Sequence, residues 1–233
     1  MNSTVDGRPI VPRSGYIVEF NALWYNALKF CEQILNENGG EADVIQAKAC
    51  AEEAEKVAVS FKEVFLNEYG YLLDYVDGMM MDWSVRPNQL FAIALDYSPL
   101  NVKERKGVLD ICTKELVTPK GIRSLSPKSG GYNPLYVGPQ IQRDYAYHQG
   151  TAWPWLTGFY LEAYLRVYKM SGVNYIERQL IGFEEELFYH CVGTIPELFD
   201  GNPRFSGRGA ISFAMNVSGI LRALSMLDKY SVD

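Results

Sequence analysis

The sequence predicts an all-α protein of six or seven helices, and three observations carry that reading. Apolar residues recur at three- and four-residue steps through most of the chain, the spacing that gathers them on one helical face. The segments that show this spacing are separated by alternately short and long connections. No run has the sustained two-residue alternation of a half-buried strand.

The first helix is expected over residues 19–36. There "EFNALWYNALKFCEQILN" places Phe20, Leu23, Trp24, Ala27, Leu28, Cys31, Ile34 and Leu35 on a broad stripe. "NENGG" stops it, since glycine takes up the left-handed conformation that closes a helix. A second helix over residues 42–67 repeats the step with Ala47, Ala51, Ala54, Ala58, Phe61 and Phe65, its charges facing away. "YGYLLDYVDGMMMDWSVRPNQ" is aromatic, acidic and turn-rich, with room for short strand-like pieces but no sustained period. "QLFAIALDY" resumes a helix at about residue 89, and Pro99 caps the next, "VKERKGVLDICTKEL". Three more helices are expected: from near Trp153, with Pro154 tolerated in the first turn, over 174–190, and over 208–229. The opening fifteen residues, with Gly7, Pro9, Pro12 and Gly15, read as irregular chain.

Composition narrows the function. Hydrophobic content of 48% and charged content of 21% belong to a globular chain, not a disordered one. A net charge of -6 offers no basic footprint for a phosphate backbone, so nucleic acid is not an expected partner. No apolar stretch is long enough to span a bilayer, and no membrane partner is expected. "MNSTVDGRPIVPRSG" has no basic patch followed by an apolar run and does not read as a signal peptide. Cys31, Cys50, Cys112 and Cys191 lack CxxC spacing, and His148 and His190 form no paired metal motif. Neither a metal site nor a disulfide framework is expected, and a reducing cytoplasm is the default location.

The long connections, 68–88, 118–143 and 191–207, hold much of the chemistry-bearing material. Aromatic residues make up 13% of the chain, and many of the tyrosines lie among glycines and prolines. Loop aromatics serve either as lids on the core or as walls for sugar rings, which present apolar faces edged by hydroxyls. Long loops inside compact domains are uncommon and frequently functional. If the helices pack as successive antiparallel hairpins, alternate loops gather at one end of the array.

Four segments admit both a structural and a functional reading. Glu19, Asn21 and Trp24 open a helix, where an acidic residue already suits the helix dipole. "DWSVRPNQ" sets Asp82, Trp83, Arg86, Asn88 and Gln89 either as a capped turn or as hydrogen-bonding partners of a polyhydroxylated ligand. "DYAYHQGTAWPW" crowds Tyr145, Tyr147, His148, Gln149, Trp153 and Trp155 into a helix entrance. "VGTIPELFDG" holds Glu197 and Asp200, either solvated loop carboxylates or part of an acid–base pair. Glycosidic cleavage would employ such a pair. One protonated carboxyl donates to the leaving oxygen, and an ionised one attacks or activates water. That chemistry needs no metal or organic cofactor.

"VPRSGYIVEFNALWYNAL", "SVRPNQLFAIAL", "LSP" with "YNPLYVGP", "YHQGTAWPWLTGFYLEAYL" and "PELFDG" resemble, in this order, the C-terminal region of glycogen debranching enzymes. No one motif is specific, but together they cover almost the whole chain. The resemblance implies an (α/α)6 toroid of the glucoamylase-like kind. Residues 1–233 would be a single domain forming its C-terminal portion, with the N-terminal helices missing. It implies inverting hydrolysis of α-1,6-linked glucose at branch points, with glycogen or a branched oligosaccharide as substrate, no cofactor and a cytoplasmic setting.

By the same resemblance Glu197 is the general base. Arg86, Asn88 and Gln89, with His148, Gln149, Thr151 and Trp153, line the glucose pocket, and Glu19, Asn21 and Trp24 belong to its rim. Relatives place the general acid, an aspartate, after a "TWM" sequence. Asn2 occupies that position here, an amide cannot give the proton in the same way, and Asp6 is the nearest carboxylate. Missing hairpins would leave apolar helix faces for the remainder of the parent chain or for self-association. Two other readings stay open: another α-glucosidase on the same toroid, and a non-catalytic carbohydrate-binding or scaffold piece.

Overall fold

A computed structural model describes residues 3–190 and 192–231; Asn2 and Cys191 lie outside the described residues. The helices are α1 (Val18–Asn38), α2 (Glu41–Phe65), α3 (Phe91–Ala94), α4 (Val102–Leu116), α5 (Gln140–Ala146), α6 (Trp155–Tyr168), α7 (Val173–Glu184), α8 (Glu186–Tyr189) and α9 (Ala214–Ser231). Among the described residues, six of them have twelve residues or more, matching the predicted number. The strands are β1 (Thr4–Val5), β2 (Arg8–Pro9), β3 (Tyr16–Ile17), β4 (Tyr75–Asp77), β5 (Met80–Met81), β6 (Val117–Thr118), β7 (Gly121–Arg123), β8 (Ala152–Trp153), β9 (Leu198–Phe199) and β10 (Gly207–Arg208). None exceeds three residues, too short for an alternating pattern to be read, and that is why the long connections look irregular in sequence.

The chain divides into two compact units. One comprises Ser14–Trp83 and Asn88–Val108. Its centre is the α1–α2 hairpin, closed as expected at Gly39. That residue has φ 72° and donates its N–H to the Leu35 carbonyl at 3.3 Å. Of the apolar stripe on α1, Leu28 is buried along with Val18 and Ala22, while Phe20, Leu23, Trp24, Phe30 and Ile34 are exposed. On α2 the buried residues are Ala47, Ala54, Phe61 and Phe65. β3 pairs with β4 and β4 with β5, all antiparallel.

The other unit comprises Met1–Arg13, Ser84–Pro87 and Leu109–Asp233. Its sheet runs β10-β9-β8-β7-β6, an antiparallel meander. The register sets Ile122 opposite Trp153, Ala152 opposite Phe199, and Leu198 opposite Arg208. Against it lies a core of Ala152, Phe183, Ile195 and Phe199. α6 and α9 pack closely: a Cβ on Gly158 would come within 2.5 Å of the Gly219 carbonyl oxygen, so the two backbones meet where neither residue carries a side chain. The β1–β2 hairpin, read from sequence as irregular, packs on α5, and Ser3 Oγ donates to the Asp144 carbonyl at 2.7 Å. Among the described residues no helix is long and apolar enough to cross a membrane.

Candidate functional site

The decapeptide containing Glu197 has little repetitive structure of its own, so its conformation is fixed by what holds its backbone. Ile195, Pro196, Leu198, Phe199 and Asp200 are buried, while Glu197 between them is half-buried. Alternation at β9 turns neighbouring side chains to opposite faces. Glu197 donates its N–H to the Ala210 carbonyl at 2.9 Å, and the Ala210 N–H returns a bond to Glu197 Oε2 at 2.8 Å. The other carboxylate oxygen, Oε1, accepts from the Tyr147 hydroxyl. Gly209, at φ 72°, lies so close to Glu197 that a Cβ there would collide with the carboxylate. Asn216, wholly buried on α9, donates to the carbonyls of Pro196 at 2.5 Å and Glu197 at 2.7 Å. Its Oδ1 accepts the Trp155 N–H at 3.0 Å, tying the start of α6 to the same loop.

Asp200 has a different part. Its Oδ2 accepts from Arg208 Nε at 3.0 Å and Nη2 at 2.8 Å, and its Oδ1 accepts the Tyr136 N–H at 2.8 Å. Buried and fully engaged, it anchors the loop 118–143 to the β9–β10 turn.

Of the aromatic residues expected at a helix entrance, Tyr147, His148 and Trp153 form one group, which Tyr136 joins, while Trp155 packs on Phe159 instead and Tyr145 is exposed. The Tyr147 ring lies 4.6 Å from His148, 4.9 Å from Trp153 in an edge contact, and 5.7 Å from Tyr136, while His148 stacks on Trp153 at 5.4 Å. Trp153 Nε1 donates to Thr151 Oγ1 at 3.1 Å, and Thr151 Oγ1 donates to the Tyr147 carbonyl at 2.7 Å. Burial, with the Arg86 charge added to it, lowers the His148 pKa to about 4 and keeps the ring neutral at ordinary pH. Burial also raises that of the Tyr147 phenol, and the adjacent Glu197 carboxylate raises it further.

Arg86 is buried behind this group. Its Nη1 donates to the carbonyls of Ser124 at 3.1 Å and His148 at 2.9 Å, and its Nη2 donates to Gln149 Oε1 at 2.7 Å. A guanidinium presents a planar fork of donors, so one side chain can hold two separate strands of backbone. Thus Arg86, Gln149 and Thr151 back the aromatic group, and Glu197, Tyr147 and His148 are its half-buried members. Asp6 belongs to the same unit. It is exposed at the β1–β2 turn with φ 50°, and with Arg8, Ile10 and Tyr145 it lines a cavity of about 560 Å³.

The remaining five candidates belong to the other unit. Glu19 and Asn21 are half-buried in the first turn of α1, and Asn21 Nδ2 donates to the Ile17 carbonyl at 2.8 Å. Trp24, one turn further on, is 53% exposed. Asn88 Nδ2 donates to Asp74 Oδ1 at 2.6 Å, and Gln89 Oε1 accepts the Leu72 N–H at 3.2 Å. Asp74, whose main-chain carbonyl accepts the Val18 N–H at 3.2 Å, therefore ties this turn to the start of α1.

Sequence reasoning does not pick out Tyr136, Asn216, Arg208, Gly209 or Asp74. Asp74 has a signal, a carboxylate inside the apolar run "YLLDY". Asn216 has none, because an asparagine near a helix start is ordinary.

Residues 1–222 match the family model described as amylo-alpha-1,6-glucosidase. The glycogen debranching enzyme of Saccharomyces cerevisiae is 27% identical over 197 residues, a stretch that takes in 68% of this chain and 12% of the yeast protein. Among solved structures, a neutral trehalase from Saccharomyces cerevisiae superposes with TM-score 0.61 at 15% identity, over 90% of this chain and 39% of the trehalase. A mannosylglycerate hydrolase from Thermus thermophilus gives TM-score 0.59 at 12% identity, over 90% of this chain and 45% of its own. The fold is that of the (α/α)6 toroid class, and the chain spans less than half the length of each of these proteins.

Proposed function

From the premise that the chain belongs to the amylo-alpha-1,6-glucosidase family, we propose that it supplies the water-activating carboxylate and the aromatic wall of a glucosidase site acting on α-1,6-linked glucose in a glycogen-like glucan. The observation that carries this reading is the setting of Glu197. Its carboxylate is held by Tyr147 and the Ala210 N–H, beside the stacked rings of His148 and Trp153.

In the proposed reaction a glucose unit at a branch point lies with its apolar face against the half-buried rings of Tyr147 and His148, which the buried Trp153 backs. Glu197 takes a proton from a water molecule. The water oxygen forms its bond to the anomeric carbon from the face opposite the glycosidic oxygen, and the old carbon–oxygen bond breaks. A protonated carboxyl gives its proton to the departing oxygen, leaving free glucose of inverted configuration and a glucan with one branch fewer. Both oxygens of Glu197 are acceptors in their existing bonds, the arrangement of a group that receives a proton. We assign the acid role to Asp6, whose hairpin packs on α5 just before Tyr147. Neutral His148 serves as a stacking and hydrogen-bonding surface without adding a charge to the sugar site.

Glu197→Gln in the full-length protein tests the reading. On a branched glucan kcat should fall by roughly 10²–10⁴ with KM little changed, and Asp6→Asn should lose most rate on substrates with poor leaving groups. Near-normal hydrolysis by the Glu197 variant would remove the base assignment and leave a carbohydrate-binding or scaffold role. A second reading, another glycosidic linkage on the same fold, is favoured by the likeness to a trehalase and a mannosylglycerate hydrolase. Release of glucose from branched but not linear glucans separates the two.

A further inference from the structure

Both oxygens of the Glu197 carboxylate are engaged, and by donors from different parts of the chain: Tyr147 at the end of α5 and the main-chain N–H of Ala210 beyond β10. A carboxylate held at one oxygen can rotate about its terminal torsion, which is broad and weakly restrained. Held at both, its plane is fixed, and the lone pairs left over point in fixed directions. We propose that Tyr147 is the positioning residue of this site, its hydroxyl fixing the Glu197 carboxylate in the plane from which it takes the proton of water. The inference rests on the reading of Glu197 as the base and adds to it a residue whose role is exerted through another.

Tyr147 is built to stay where it is. Its N–H donates to the Arg143 carbonyl at 3.0 Å, and its own carbonyl accepts Thr151 Oγ1 at 2.7 Å. Tyr136, His148 and Trp153 pack around its ring, closing off the rotamers that would swing the hydroxyl away. Beneath this group Arg86 grips the carbonyl of His148, the next residue along. Burial and the neighbouring carboxylate keep the phenol protonated, so it remains a donor throughout the range in which a glycosidase works. Tyr147 therefore need not touch the sugar or transfer a proton. It reduces the reorganisation that the base would otherwise undergo at the moment of reaction.

Tyr147→Phe removes the hydroxyl and keeps the packing of the ring. In the full-length protein kcat should fall roughly ten- to hundredfold while KM stays within about twofold, and the acidic limb of the pH–rate profile should move to higher pH. An unchanged kcat, or a loss with the pH profile unmoved, would reduce Tyr147 to a packing residue and overturn the proposal. A second measurement does not depend on turnover. With tyrosine labelled at 13Cζ, the Tyr147 resonance is assigned from its absence in Tyr147→Phe and followed through alkaline titration. In Glu197→Gln the phenol should ionise at lower pH than in the parent protein, because the negative partner is gone; no change would show that the two groups are uncoupled and would also overturn the proposal. If the coupling is present but Glu197→Gln hydrolyses normally, the base assignment fails, and the positioning role with it.

Discussion

Asn216 on α9 donates its side-chain amide to the main-chain carbonyl of Glu197 at 2.7 Å. The same nitrogen serves the Pro196 carbonyl, and the oxygen of the same amide takes the Trp155 N–H. One buried side chain thus joins the start of α6, the loop carrying the candidate base and the first turn of α9. Only an amide offers donors and an acceptor in this arrangement.

Asn216→Ala should remove the side-chain partner of one buried and two part-buried main-chain groups and lower unfolding free energy by about 1–3 kcal/mol. Asn216→Asp keeps the shape but brings a carboxylate against two carbonyl oxygens, and the loss should be larger. Urea denaturation of the two variants checks the order. Equal losses would show that the donor side of the amide is not what matters.

Gly209→Ala combines two penalties that a control can separate. At φ 72° any side chain is strained, and here the new Cβ would approach the Glu197 Cβ and Cδ to 3.0 Å. Gly193, at φ 75° with nothing within 4 Å of its Cβ position, has the first penalty alone. Gly193→Ala should cost about 1–2 kcal/mol of stability and no activity. Gly209→Ala should cost more and depress kcat by displacing the carboxylate. Matching behaviour of the two variants in both assays would refute the steric argument.

His148 makes the stability of the fold depend on pH. Its folded pKa, about 4, lies below the value of 6.5 expected when unfolded, so between these limits the unfolded chain binds the extra proton. The stabilisation is therefore complete above about pH 6.5 and is lost as pH falls toward 4, by up to about 3 kcal/mol. His148→Gln should flatten the decline in urea stability between pH 7 and pH 4. A variant that declines as steeply as the parent would place the titration elsewhere.

Helix positions are legible locally, though not every end: the last helix starts at Ala214 and not at residue 208, because Gly207–Arg208 pairs with β9 as β10. The period of apolar residues in "EFNALWYNALKFCEQILN" and the glycines that follow are properties of contiguous chain, and α1 closes at Gly39 as they require. The ordered motifs likewise suffice to identify the family. Which side of α1 is covered is not local information: Phe20 and Trp24 share the apolar stripe with Leu28 yet remain exposed, because burial depends on what other helices bring to that face.

At the candidate site the same division holds. Contiguous residues are enough to place a glutamate in "PELFDG", to crowd aromatics into "YHQGTAWPW", and to set helices beside both. Folding was needed to bring Tyr147 to a carboxylate fifty residues away, to set Asn216 against the backbone beneath it, and to turn Arg86 onto main-chain carbonyls. Periodicity follows from the geometry of successive residues. Hydrogen bonds between distant segments follow from how separate helices, loops and strands pack, which no stretch of neighbouring residues encodes.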